Sequence, residues 1–203
     1  MDVIKGVEFS FWFEIGLALS LVGIGFWFGR FKKFIRSKGF FEKTWNEIDK
    51  IHELLTELRV KTRACRVQLI QFHNGGQFVD GISMKRFSLS YESLSKGVSR
   101  EENFKDVLVS LFPHFISKII KNSPEMYYSH LEEASIFRQI LQHSNVIMYS
   151  VLPVRSKGRI TGALVLNWCN RTRALEDPDL VVAFKETRDL VELGIRTISD
   201  QES

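Results

Sequence analysis

The plainest pattern along the chain is a run with almost no polar position. FSFWFEIGLALSLVGIGFWF, residues 9–28, holds a single charge, Glu14. A helix of about 20 residues rises roughly 30 Å, the thickness of a bilayer's hydrocarbon core. Trp12 and Trp27, near its two ends, match the aromatic belt of the membrane–water interfaces. The run predicts a transmembrane helix over 9–29. After it, Phe41, Trp45, Ile48, Ile51, Leu55, Leu58 and Thr62 step by three or four. That stripe predicts a helix over 41–62. It is close to a heptad seam, so it suits packing on its own domain or pairing in a parallel dimer.

The period then shortens. CRVQLIQF (65–72) is rich in β-formers and predicts a central strand. HNGGQFVDGISM predicts a turn-rich connection, and RFSLSYESL (86–94) a second strand with Phe87, Leu89 and Tyr91 on one face. Residues 101–121 carry a helical apolar pattern that Pro113 must kink or divide. A short strand follows at 126–131 and a short helix at 135–145. VIMYSVLPVRSKGRITGALVLNW (146–168) predicts a hairpin turning at Ser156-Lys157-Gly158. Pro153 marks an edge or a bulge there, and Gly162 a close backbone approach. A closing helix opens on the acidic, proline-bearing Glu176-Asp177-Pro178-Asp179 and runs to about Ile198. Helices at both ends with an antiparallel sheet between them make the globular part an α+β sandwich.

Charge fixes the expected orientation. The flank GRFKKFIRSKG carries Arg30, Lys32, Lys33, Arg36 and Lys38. Positive charge after the helix puts the rest of the chain in the cytoplasm, and the same cluster suits anionic lipid head groups. No small-x-small cleavage site follows the apolar run, so it reads as a retained anchor. The expected layout is a short extracytoplasmic N-terminus (1–8), a membrane helix (9–29), a basic juxtamembrane linker (30–39) and a globular domain (40–203). The net charge of +4 sits largely in that flank, which argues against nucleic acid as a partner. Gly16, Ser20, Gly25 and Gly29 are small residues at a spacing that suits helix pairing in a membrane, so a homodimer is expected. Glu14 reads as an acid close to the outer interface. The two cysteines, Cys65 and Cys169, have no metal-site or framework spacing and read as buried free thiols.

The leading helix 41–62, the strand RVQLIQF and the hairpin SVLPVRSKGRITGALVLNW resemble a GAF domain, the small-ligand sensor fold related to PAS. The stretches QLIQFHNGGQF and FSLSYES resemble a bacterial and phage subgroup of such proteins. The resemblance spans about residues 40–198. It implies a sheet with a pocket on one face, in a family that binds cyclic nucleotides, tetrapyrroles or other small molecules, or serves as dimerisation modules. In layout, the single membrane helix with its α/β domain also resembles the large holins of T-even-like phages. Their globular domain faces the periplasm, opposite to the orientation that the basic flank implies.

The candidate chemistry is concentrated after the first strand. In His73-Asn74-Gly75-Gly76, bare backbone amides could cradle a carboxylate or phosphate, with the imidazole and amide side chains beside them. A plain tight turn accounts for the same residues. Asp80, Tyr91 and Glu92 are the next polar groups that could reach a pocket there. His73 with Glu92 could form an acid–base pair. No nucleophile, metal triad or phosphate loop accompanies them, so no catalysis and no resident cofactor are expected. The sequence thus describes a single-pass inner-membrane protein whose GAF-like domain senses a small ligand or a partner, such as another membrane protein, through its dimer state. The alternative is a holin-type lysis protein.

Overall fold

The computed structural model describes residues 44–77, 83–170 and 174–202. The chain divides into a first unit, Met1–Asn46, and a second, Glu47–Ser203. The apolar run with Glu14, the Gly16–Gly29 pattern, the basic flank Arg30–Lys38 and Asp80 all lie outside the described residues. Among the described residues no helix is long and apolar enough to cross a membrane.

Helix α1 covers 44–62. Strands β1 (Arg66–Gln77) and β2 (Ser83–Leu94) follow. After them come β3 (Val107–Leu108), a 3-10 turn, and α2 (Pro113–Lys121). Next are β4 (Tyr127–Tyr128), α3 (Ile136–His143), β5 (Met148–Ser156), β6 (Arg159–Trp168) and α4 (Pro178–Glu202). The strands form one antiparallel six-stranded sheet in the order β3-β2-β1-β6-β5-β4. β1 is central, as its β-rich sequence predicts.

Side chains alternate across the sheet and build a core on each face. On one face Val67, Leu69, Leu152, Leu164, Leu166 and Trp168 meet Ile51, Leu55 and Leu58 of α1 and Phe184 and Val191 of α4. On the other, Ile70, Phe87, Tyr149, Val151 and Val165 meet Phe115 and Ile119 of α2 and Phe137 and Ile140 of α3. Of the described part of the leading stripe, Ile51, Leu55, Leu58 and Thr62 are buried in the chain's own core at 2% exposure or less, Ile48 is half-buried and Trp45 is 54% exposed. The indole N–H of Trp168 donates to the Thr62 carbonyl at 3.1 Å and ties the end of α1 to β6.

Several local expectations change. The helix expected over 101–121 begins only at Pro113, which occupies its first turn and lacks the N–H that an upstream turn would require. The hairpin turn is a two-residue loop, Lys157-Gly158, and both residues have positive φ (50° and 77°). That is the backbone which matches strand twist. Pro153 sits where β4 no longer pairs with β5, beside a register shift at Val154/Arg155. Gly162 has the Ile70 carbonyl oxygen 2.2 Å from where a Cβ would stand. Cys65 and Cys169 are not free thiols but a disulfide with Cα atoms 6.0 Å apart. The register explains the pairing: Arg66 lies opposite Asn167, so the residues flanking that rung are brought together.

Candidate functional site

His73-Asn74-Gly75-Gly76 is not a turn. β1 runs through it to Gln77, with His73 opposite Arg86 and Asn74 opposite Lys85. The two glycines fall in an irregularity between Asn74 and Gln77. Gly75 has no left-handed φ, so it gives no cradle of the anion-nest kind. Its missing side chain has a different cause: the Arg86 side chain crosses 2.1 Å from where a Cβ would stand. Gln77 pairs with Ser83, and residues 78–82 lie outside the described residues.

The same strand end does border a pocket, of about 390 Å³. That volume is within the range of small-ligand sites, roughly 300–1,000 Å³. Phe72, His73 and Asn74 come from β1, Lys85 from β2, and Arg159, Ile160 and Thr161 from the hairpin end of β6. Val109 and the α2 residues Ile116, Ile119 and Ile120 complete the wall. The three isoleucines sit at helical spacing, with Ile119 buried in the core and Ile120 62% exposed at the mouth. The interior is therefore aliphatic and the rim cationic. Lys85 Nζ donates to Asn74 Oδ1 at 2.7 Å, a neutral acceptor that leaves its charge uncompensated. Arg159 is exposed at the end of the hairpin. Among the described residues no carboxylate pairs with either cation. Asp106, which lies 3.9 Å from His73, is taken by Arg86 Nη1 at 2.9 Å.

His73 is held from behind. Its Nε2 is 3.0 Å from Ser88 Oγ and 3.9 Å from Asp106 Oδ1, and the Ser88 hydroxyl also accepts the Asp106 backbone N–H at 2.9 Å. His73 and Asn74 thus share one pocket. Tyr91 and Glu92 do not join them. Glu92 lies opposite Gln68, five rungs of β1 from His73, or roughly 16 Å at about 3.3 Å per residue. The acid–base pair is not formed.

Tyr91 also departs from the expected face. The register passes from Leu69↔Tyr91 to Ile70↔Leu89, so Ser90 is an extra residue on β2. A bulge of this kind reverses the alternation. Phe87 and Leu89 face α2 and α3, whereas Tyr91 packs on the α1 side, its ring 5.3 Å from His52. Burial raises the Tyr91 phenol above its ordinary pKa. Sequence reading missed Lys85, Arg159 and the isoleucine wall. The signals were present in the helical spacing of Ile116, Ile119 and Ile120 and in the Arg159-Ile160 pair beside the hairpin glycine.

Comparison with solved structures decides the fold. The chain superposes on the GAF domain of a two-component sensor histidine kinase from Bacillus halodurans with a TM-score of 0.60 at 14% identity, over 76% of this chain and 97% of that one. The fold is that of a GAF domain. A far-red cyanobacteriochrome photoreceptor matches at TM-score 0.56 and 12% identity, over 82% and 96% of the two chains. The phycoerythrobilin-bound GAF domain of a cyanobacterial phytochrome matches at 0.52 and 16%, over 82% and 97%. No protein-family model and no curated protein sequence matches the chain.

Proposed function

We propose that this chain is a membrane-anchored, non-catalytic sensing module whose GAF fold takes an amphiphilic carboxylate in the pocket between β1, β6 and α2. The observation that carries the reading is the aliphatic interior rimmed by Lys85 and Arg159. A hydrocarbon tail would lie along Ile116, Ile119 and Ile160, and the carboxylate would meet the two cations at the mouth. The pocket has a route to the closing helix. Ile160 pairs with Arg155 across the hairpin, and the Arg155 backbone N–H donates to Glu192 Oε1 on α4 at 2.7 Å. Filling the pocket would shift the hairpin and, through it, α4. A homodimer would then read the shift through the α4 side chains that face solvent, Leu190 and Leu193. The apolar run 9–29 supplies the anchor in this reading.

Decanoate tests it. The full chain should gain thermal stability with decanoate and not with decanol, and Lys85→Ala combined with Arg159→Ala should lose most of that gain. An equal response to decanol, or an unchanged response in the double variant, overturns the proposal. Unchanged binding in His73→Ala would remove His73 from the site.

The Cys65–Cys169 disulfide favours a second reading. Disulfides persist in oxidising compartments and are rare in the cytosol. A globular unit on the far side of the inner membrane is the layout that the holin resemblance implies and the basic flank opposes. Abrupt, delayed lysis on expression is the outcome that would support it.

A further inference from the structure

On the face of the sheet that packs α2 and α3, but at the opposite end of β1 from the decanoate pocket, a second concavity of about 670 Å³ opens. β2 supplies its floor with Leu89 and Glu92. The segment before β3 supplies Arg100, Glu101, Phe104 and Lys105. Glu92 is the unusual member. Its side chain is 3% exposed, yet only one carboxylate oxygen is used: Oε1 accepts from Gln68 Nε2 at 2.7 Å. Oε2 is buried and has no hydrogen-bond donor. Gln68 is fixed in turn, because its Oε1 accepts from Asn167 Nδ2 at 2.7 Å. The acid is therefore held by a chain of buried amides that cannot swing to serve its second oxygen.

The neighbouring cations do not serve it either. Arg66 directs its guanidinium to the carbonyls of Ser99 and Ser144 at 3.0–3.1 Å. Arg100 comes no nearer than 4.0 Å through Nε and is 81% exposed. Glu101, the other buried acid of the pocket, is satisfied by the Asn103 backbone and side-chain N–H groups and by the Ser144 hydroxyl. A buried acceptor without a donor costs roughly 1–3 kcal/mol, and more when charged. Such a group in the wall of an open pocket is what a ligand's N–H would satisfy. Desolvation also holds the Glu92 carboxyl above its usual range, against the Gln68 hydrogen bond, the nearby Glu101 backbone amide and the Arg66 and Arg100 charges.

We propose that this pocket binds a small organic cation whose primary ammonium or guanidinium donates to Glu92 Oε2, with its carbon chain against Leu89 and Phe104. The site is independent of the carboxylate pocket, so either can fail alone. Agmatine and putrescine are the probes, titrated calorimetrically into the full chain, with 1-butanol as the uncharged control. Binding of at least one cation and none of butanol is expected. Glu92→Gln keeps the Gln68 contact and the shape but removes the charge, and should weaken binding about thirtyfold or more. Arg100→Gln should bind as tightly as the parent or more so. The Glu92 carboxyl carbon, followed by NMR in the unsubstituted chain, should shift with cation saturation, which holds the test open should Glu92→Gln misfold. Equal affinity in Glu92→Gln, no binding of either cation, a Glu92 resonance that stays still, or binding that appears only after Arg100→Gln would overturn the proposal. The last result would make Arg100 the acid's own partner.

Discussion

Removing the Cys65–Cys169 bond should be the most damaging small change available to this domain. The two residues are 104 positions apart. Loop-closure entropy scales with the logarithm of that span, and for about 100 residues it removes roughly 4.7 kcal/mol of denatured-state freedom at 25 °C. Native contacts already bring the same rung together. The Cys65 N–H donates to the Asn167 carbonyl at 2.8 Å, and Arg66 pairs with Asn167 whether or not the sulfurs are joined. The folded state therefore loses little when the bond goes, and most of the loss stays on the denatured side. Residual structure in the unfolded chain trims it, so we expect about 3–4 kcal/mol.

For a domain of this size each kcal/mol moves the melting temperature by about 2–4 °C, so the combined variant Cys65→Ala, Cys169→Ala should melt on the order of 10 °C lower. The assay is circular dichroism melting of the parent with and without reductant, beside the double variant. Reduced parent and variant should coincide, and oxidised parent should stand apart. Identical melting in all three would refute the reasoning, as would two maleimide-reactive thiols after denaturation without reductant. Acid-quenching intact cells before labelling carries the result to the compartment. Protein already oxidised at the quench places the domain on the oxidising side, and protein with two free thiols places it on the side that the basic flank implies.

Three further outcomes follow from single contacts. Gly162→Ala drives a methyl into the Ile70 carbonyl at 2.2 Å, with backbone on both sides, and should cost about 2 kcal/mol in denaturant melts. Glu132 accepts from Lys118 and from the Tyr149 hydroxyl, the latter at 2.6 Å, with the acid 5% exposed. Glu132→Ala strands the Lys118 cation and should cost about 3 kcal/mol, while Leu131→Ala beside it, 72% exposed, should be near neutral. Burial, reinforced by Glu132, pushes the Tyr149 phenol far above its usual pKa. Burial with Glu125 pushes Tyr127 up to about 12. The folded state thus keeps protons that the unfolded chain gives up from the ordinary value of 10.0. Stability should fall as pH rises above about 10, and phenolate absorbance from Tyr149 should appear only with unfolding.

How much of this was legible in the sequence depends on the range of the interaction involved. Period and punctuation are local, and they found the central strand, the Lys157-Gly158 hairpin, the helix opening at Pro178 and the close approach at Gly162. Pairing is not local, and it changed the rest. Histidine, asparagine and two glycines read as a turn by composition, but β2 returns far enough to pair with His73 and Asn74 and keep them in a strand. Gly75 is needed for the Arg86 side chain that crosses it, a contact no spacing rule contains. The cysteines showed no familiar spacing because the rung Arg66↔Asn167 of two neighbouring strands unites residues 104 positions apart in the chain. One inserted residue, Ser90, has the largest consequence for chemistry. Strict alternation from Phe87 would put Tyr91 on the α2 face and turn Glu92 toward α1. The bulge exchanges them. It sends a tyrosine to the α1 core and brings a carboxylate onto the α2 and α3 face, opposite Gln68, where one oxygen is satisfied and the other is not. The half-satisfied acid thus follows from a register shift of one residue, and a sequence pattern averaged over a strand cannot register a shift that small.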